Sequence, residues 1–245
     1  MGGLFLIDWL RRPAEDPAIE VAGRLLPIAV RRHPRAKRLT MRLAPDGSEV
    51  RVTLPKWCAT RDALVFAHAR AEWIERQLAA VPRSQPPAPG GTLRYRGEEL
   101  AIAWHPAHGR TPRLEGDRLL VGGPAESLPA RLQRWLEGEA RTLLAGDLAF
   151  YCARAGRTPP QLRLSRARRR WGSCSDRASI RINWRLVQAP DPVRRSVVAH
   201  EVAHLTHFDH SPAFHAELAR LFDGDLGVAD RWLKDHGRGL YAAFG

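Results

Sequence analysis

The sequence predicts an α+β protein, with a β-rich N-terminal lobe followed by a helical lobe that contains a short antiparallel sheet. Three observations carry this. Apolar and polar residues alternate in short runs up to about residue 121, the period of half-buried strands. One long stretch, from about Leu128 to Ala155, instead repeats its apolar residues at helical spacing. Beyond it, two short strand-like runs lead into segments that are helical to the end. A chain of 245 residues, 44% hydrophobic with eight Trp, can bury a sizeable core.

Residues 1–20, with Pro13 and Pro17 among charges, are expected to form a tail. Residues 24–30 (RLLPIAV), 38–44 (RLTMRLA) and 48–54 (SEVRVTL) read as strands, the last two joined as a hairpin through Pro45-Asp46-Gly47. Over 61–80, Leu64, Ala67, Ala71, Ile74 and Leu78 recur at helical spacing until Pro82 stops them. The segment 82–91 (PRSQPPAPGG) has the composition of a linker. TLRYRGEELAIAW and RLLVGG read as further strands and complete a lobe over 21–125. The second lobe, 126–245, opens on the long helix, with Leu132, Trp135, Leu136, Leu143, Leu144 and Leu148 as apolar members and Gly156 suited to its C′ position. QLRLS and SIRINWRLV read as two strands flanking a WGSCSDRA turn. No internal repeat is visible.

The formal net charge is +13, almost all of it from Arg, since Lys occurs only at 37, 56 and 234. A charge run is first of all a solvated surface, but the clusters Arg31–Arg38 (RRHPRAKR) and Arg166–Arg170 (RARRR) also suit weak polyanion or phosphate binding. The cysteines, Cys58, Cys152 and Cys174, are odd in number and form no C-x-x-C pair, which argues against a disulfide framework and for a reducing cytoplasm. The apolar patch of MGGLFLIDWLRRP has no basic leader and contains Asp8, so no signal peptide is expected, and no run of about 18 apolar residues predicts a membrane span.

The segment 191–214 reads DPVRRSVVAHEVAHLTHFDHSPAF. Asp191 as N-cap and Pro192 in the first turn predict a helix start. His200 and His204, four residues apart, fall on one face, where two imidazoles can share a Zn²⁺ ion. Glu201 projects beside them, and a carboxylate there can act as general base on a metal-activated water. A third ligand is needed to leave one position open. His210 is the choice, because Asp209, Ser211 and Pro212 announce a break from which it can swing back. His207 is the rival on the same helix face, and Glu217 a weaker one. His215 is read as packing beside the site. Cys174 is read mainly as a small buried thiol, with a nucleophile or ligand as the alternative.

These residues resemble a known family. RRRWGSCSDRASIRINWRLVQAP (168–190) and HEVAHLTHFDHSPAF (200–214), together with RRHPRAKRLTMRLAPDGSEVRVTLP and AEWIERQLA in the N-terminal half, resemble the YgjP-like metal-dependent hydrolases. Those are predicted metallopeptidases related to the SprT-like and WLM zincins. The resemblance spans roughly residues 28–235 and implies a zincin-like catalytic lobe, His200, His204 and His210 as zinc ligands, and Glu201 as catalytic base. It places the family's Trp-Gly-Ser-Cys turn on Trp171, Gly172, Ser173 and Cys174 and its strand asparagine on Asn183. Trp171, Ser173 and Asn183, with Arg170 from the basic cluster, are the expected substrate-binding residues. The strand Ser179–Leu186 is expected to offer its edge to an extended peptide. His215 departs from the pattern, standing where an aromatic residue usually follows Phe214.

Three functions are therefore in view. The first is zinc-dependent hydrolysis of a peptide or protein. The second keeps the site and takes a nucleotide, since the resemblance also implies a proposed UTP pyrophosphatase activity, and arginines pair bidentately with phosphate. The third is a non-enzymatic basic module that binds nucleic acid around a structural zinc. The presence of Glu201 and the lack of a nucleic-acid motif weigh against it.

Overall fold

Alternating apolar residues between Ala18 and Leu54 pair into one four-stranded sheet. The structure, a computed structural model, describes residues 17–44, 47–79, 81, 85–168, 170–175 and 179–244. Contacts divide the chain into two units, Met1–Val81 and Pro82–Gly245. The boundary falls inside the linker-like segment, earlier than the expected 125/126.

In the first unit β1 (Ala18–Val21), β2 (Arg24–Arg32), β3 (Thr40–Leu43) and β4 (Val50–Leu54) lie in the order β1-β2-β4-β3. β1 begins within the expected tail. Ile19 and Val21 alternate inward, and Ala22 and Gly23 take positive φ in a two-residue turn onto β2. The β3–β4 hairpin forms as expected, although Pro45 and Asp46 of its turn lie outside the described residues. The helical stretch 61–80 is two helices, α1 (Thr60–His68) and α2 (Ala71–Ala79), broken at Ala69–Arg70. Neither Gly nor Pro marks that break, and nothing local accounts for it. Ala63, Ala67 and Ile74 pack into one cluster with the inward side chains of the sheet.

The second unit repeats the sheet plan. β5 (Thr92–Tyr95), β6 (Glu98–Trp104), β7 (Arg113–Glu115) and β8 (Arg118–Val121) lie in the order β5-β6-β8-β7, again with the middle pair parallel. The two sheets share only their alternating pattern, which identity-based repeat detection does not see. Sheet β5–β8 shares its core with the helical lobe rather than with the first sheet, which is why the boundary moves.

The helix α3 (Leu128–Arg154) buries Leu128, Leu132, Leu136, Ala140, Leu144, Leu148 and Cys152. A spacing of four advances about 40° per step around the axis, so this stripe winds around α3 and faces different neighbours along its length. Trp135 and Leu143 are only partly buried. Gly156, with φ +65°, ends the helix as expected.

The third sheet holds β9 (Leu162–Ser165), β10 (Gly172–Cys174) and β11 (Ile180–Asn183) in the order β10-β11-β9. It is mixed rather than antiparallel, because β9 and β11 run parallel. The Trp-Gly-Ser-Cys segment, expected as a turn, is itself the strand that reverses the chain between them. After Asn183 a 3-10 turn over 184–188 leads to α4 (Asp191–Ala203), α5 (Pro212–Leu221) and α6 (Leu226–His236). Among the described residues no helix is long and apolar enough to cross a membrane.

Candidate metal centre

The helix α4 is fixed at its start. Pro190 is its N-cap, one residue before the expected Asp191, which instead bonds through its side chain to Arg96 and Arg194. Arg96 and Gly97, in the β5–β6 turn, donate their backbone amides to the Val187 and Gln188 carbonyls (2.8 and 3.0 Å). Burial opposes ionisation of Asp191, but hydrogen bonds from Arg96 and Arg194 outweigh it and lower its pKa. Arg194, nearly inaccessible, also pairs with Asp147 of α3 at 2.7 Å. The register of α4 against α3, and so the position of its far end, is set by these pairs.

At that end the helix stops at Ala203. His207 N–H donates to the Ala203 carbonyl, and the chain turns away. Ser211 then caps α5, its hydroxyl accepting from Phe214 N–H at 3.4 Å, as the Ser-Pro signal predicts. The intervening bend brings His210 back toward α4.

The Nε2 atoms of His204 and His210 lie 3.2 and 3.3 Å from Nε2 of His200. The donor atoms of the three residues all lie within 4.8 Å of one another. His204 is oriented from behind, since its Nδ1–H donates to the His207 carbonyl at 2.9 Å. That bond fixes the tautomer and leaves Nε2 with a lone pair facing its neighbours. Burial, then the adjacent His204 and His210, drive the His200 pKa down to about 4. His200 is therefore poised as a neutral ligand at neutral pH.

Phe214, fully buried, holds the three rings together: it stacks on His204 (centroids 4.5 Å) and meets His200 and His210 edge-on at 5.0 and 4.8 Å. The sequence reading overlooked it. Its place four residues after His210, in the first turn of a Ser-Pro-capped helix, is the signal that points inward. The rivals lie elsewhere. His207 contributes its carbonyl, Glu217 is paired with Arg220 at 2.7 Å, and neither belongs to the cluster.

Glu201 is 5% exposed. Its carboxylate accepts from the Cys174 backbone amide, and Gly172 lies flat against it: a Cβ at Gly172 would stand 2.4 Å from Glu201 Oε1. Burial raises the Glu201 pKa to about 7, against the Cys174 hydrogen bond and the nearby Arg170, which lower it. Burial, then the charge of Glu201, push the Cys174 thiol up, so this cysteine is a protonated spacer and no thiolate nucleophile.

The sequence matches a known domain. The profile of the YgjP-like metallopeptidase domain covers residues 37–236, most of the chain. The chain belongs to the YgjP-like family. None of the curated proteins compared with it matches. The YgjP-like domain is a metal-dependent peptidase domain, and the histidine cluster at the end of α4 is where its described residues can hold an ion.

In this YgjP-like domain the expected substrate-binding residues separate. Asn183 is fully buried, and both its amide protons are used inside, on the Ala167 carbonyl (2.8 Å) and the Tyr241 hydroxyl (3.2 Å). Its oxygen accepts from Arg185 N–H, so it caps the 3-10 turn and has nothing to offer a substrate. Trp171 packs its ring on Tyr241 and Gly237. Ser173 lies on the face of β10 opposite Gly172 and Cys174, away from Glu201. Arg170 is exposed and acts electrostatically on Glu201. Arg166, in contrast, is engaged by Glu137 at 2.7 Å, and Arg169 lies outside the described residues.

The strand expected to receive a peptide, β11, is sandwiched between β9 and β10, so both its edges are occupied. The edge strands of the sheet are β10 and β9, and β10 is the one that lies against Glu201. Asn183 N–H bonds to the Trp171 carbonyl and Ser175 N–H to the Ser179 carbonyl. By alternation, the backbone groups of Gly172 and Cys174 point to the outer side, next to Glu201.

Proposed function

We propose that this chain is a zinc-dependent peptidase in which His200, His204 and His210 hold the ion and Glu201 is the general base. The observation that carries the reading is the spacing of the three Nε2 atoms. Ligands about 2.05 Å from a tetrahedral ion stand about 3.3 Å apart, and the pairs made by His200 measure 3.2 and 3.3 Å. Imidazole nitrogens suit zinc, and three protein ligands leave the open position of a catalytic site. When bound, zinc supplies Lewis-acid polarisation of the scissile carbonyl and lowers the pKa of water.

The chain's own residues do the rest. An extended peptide pairs with the outward backbone groups of Gly172 and the outward carbonyl of Cys174 on β10, which lays its scissile bond beside Glu201. Glu201 takes the proton of the attacking water and returns it to the leaving amine. The Cys174 amide and the flat surface of Gly172 hold its carboxylate in one place. Arg170 supplies the positive charge at the mouth of the site. Cytoplasmic action fits the unpaired cysteines, and polyanion binding is proposed for the exposed Arg31–Arg38 cluster.

Glu201→Gln tests the reading, assayed side by side on an unfolded protein and on UTP. Zinc content and melting temperature are expected to stay near wild type while peptide hydrolysis falls about 10²–10⁴-fold. Full activity in the variant, or loss of its zinc, overturns the assigned role. Hydrolysis of UTP without hydrolysis of peptide moves the same centre to a nucleotide substrate.

A further inference from the structure

One buried charge in the C-terminal unit has no place in that reaction. Arg131, in the first turns of α3, is 8% exposed. Its Nη1 donates to Ser127 Oγ (3.1 Å) and its Nη2 to the Pro124 carbonyl (2.8 Å), while its buried Nε has no hydrogen-bond partner. No carboxylate among the described residues pairs with it. A full charge is thus held out of water against neutral oxygens alone, which is costly without a counter-charge. The N-terminal end of α3 adds its own positive potential.

This guanidinium lines a cavity of about 510 Å³ together with Arg110, Arg134, Thr111, Ser127 and Trp135, and no acidic side chain lines it. The backbone is shaped around the charge. Gly123 has φ +82°, and a Cβ there would stand 2.5 Å from Arg131 Nη1 and 3.2 Å from Arg110 Cγ. Trp104 Nε1–H fixes this turn by donating to the Gly123 carbonyl at 2.9 Å. The cavity is remote from the histidine cluster. The axis of α3 advances about 35 Å from Arg131 to Arg154 at 1.5 Å per residue, and Arg157, just past its end, bonds to Thr206 beside His204.

We propose that the cavity binds a small phosphate monoester, its phosphate on Arg131 between Arg110 and Arg134 and its organic part against Trp135. Three guanidinium groups with the Thr111 hydroxyl match a tetrahedral dianion, which arginine holds through paired hydrogen bonds. The volume is that of a small-molecule site, in the range of about 300–1,000 Å³. Trp135, tilted on Tyr95 with centroids 5.0 Å apart, provides a fixed flat wall.

The test is calorimetric titration of the zinc-loaded full chain with inorganic phosphate, phenyl phosphate and acetate at matched ionic strength. Both phosphates are expected to saturate and acetate is not. Phenyl phosphate should bind about 3–10-fold more tightly, a gain removed by Trp135→Leu. Arg110→Ala with Arg134→Ala, both exposed positions, should weaken both phosphates at least about 10-fold and leave peptide hydrolysis unchanged. Equal binding of acetate overturns the proposal. So does wild-type phosphate binding in the double variant, and binding that disappears with His210→Ala instead would locate the anion at the metal centre. Because the binding readouts do not depend on peptide hydrolysis, the proposal stands or falls apart from the peptidase reading.

Discussion

Replacing Gly172 by alanine tests how finely β10 places Glu201. The added Cβ would lie 2.4 Å from Oε1, 2.7 Å from Cγ and 2.8 Å from Cδ of that side chain. Non-bonded heavy atoms settle about 3.5 Å apart, so the carboxyl group or the strand must retreat by about 1 Å. A retreating carboxyl also loses the Cys174 amide. Misplacing a reacting group by about 1 Å costs on the order of 10²-fold, equivalent to about 2.7 kcal/mol of barrier. The three nearest atoms to the added Cβ all belong to Glu201 and none to a histidine, so zinc stoichiometry should be unchanged. Initial rates on an unfolded protein, metal content and thermal melting are measured together. A rate within about twofold of wild type, with zinc in place, would refute the claim that Gly172 positions the base. A large fall in melting temperature with loss of zinc would show instead that the strand carries the whole site.

Further outcomes follow from the same geometry. His210→Ala should lose zinc while His207→Ala keeps it, because His207 meets the cluster through its carbonyl, and metal analysis decides between them. Phe214→Ala should lower stability by about 3–5 kcal/mol and zinc affinity by about 10–100-fold, with Phe214→Leu retaining more of both, as read by melting and competition with a chelator. Arg194→Ala removes the guanidinium shared by Asp147 and Asp191, leaving them to Arg195 and Arg96, and should cost about 1.5–3 kcal/mol, roughly 5 °C in melting temperature. The Asp191 pKa is lowered in the folded state, so its contribution is complete above the unfolded value and is lost as pH falls through the folded one. Melting temperature in wild type should therefore drop below about pH 4, and less steeply in Asp191→Asn; equal slopes would remove Asp191 from the acid transition.

The sequence by itself determined whatever depends on neighbours in the chain. Strand alternation, the winding apolar stripe of α3, the Gly156 stop, the Ser211 cap and the His200–His204 face all follow from local spacing, and so the core of the candidate site was legible from one segment. It misjudged structure where the partner is distant. Ile19 looks like part of a tail until β2 lies beside it, and Trp-Gly-Ser-Cys looks like a turn until β11 pairs with it. Asn183 reads as a polar candidate for substrate, yet burial against Ala167 and Tyr241 consumes its hydrogen bonds. Asp191 reads as a cap, yet Arg96, far away in sequence, claims its carboxylate. Tertiary structure alone decided that Phe214 clamps three imidazoles, that Gly172 lies against Glu201, and that β11 is the central strand of its sheet and β10 an edge. Those contacts join segments whose sequences carry no record of each other, and only the packing of α4 between α3 and β10 brings them within reach.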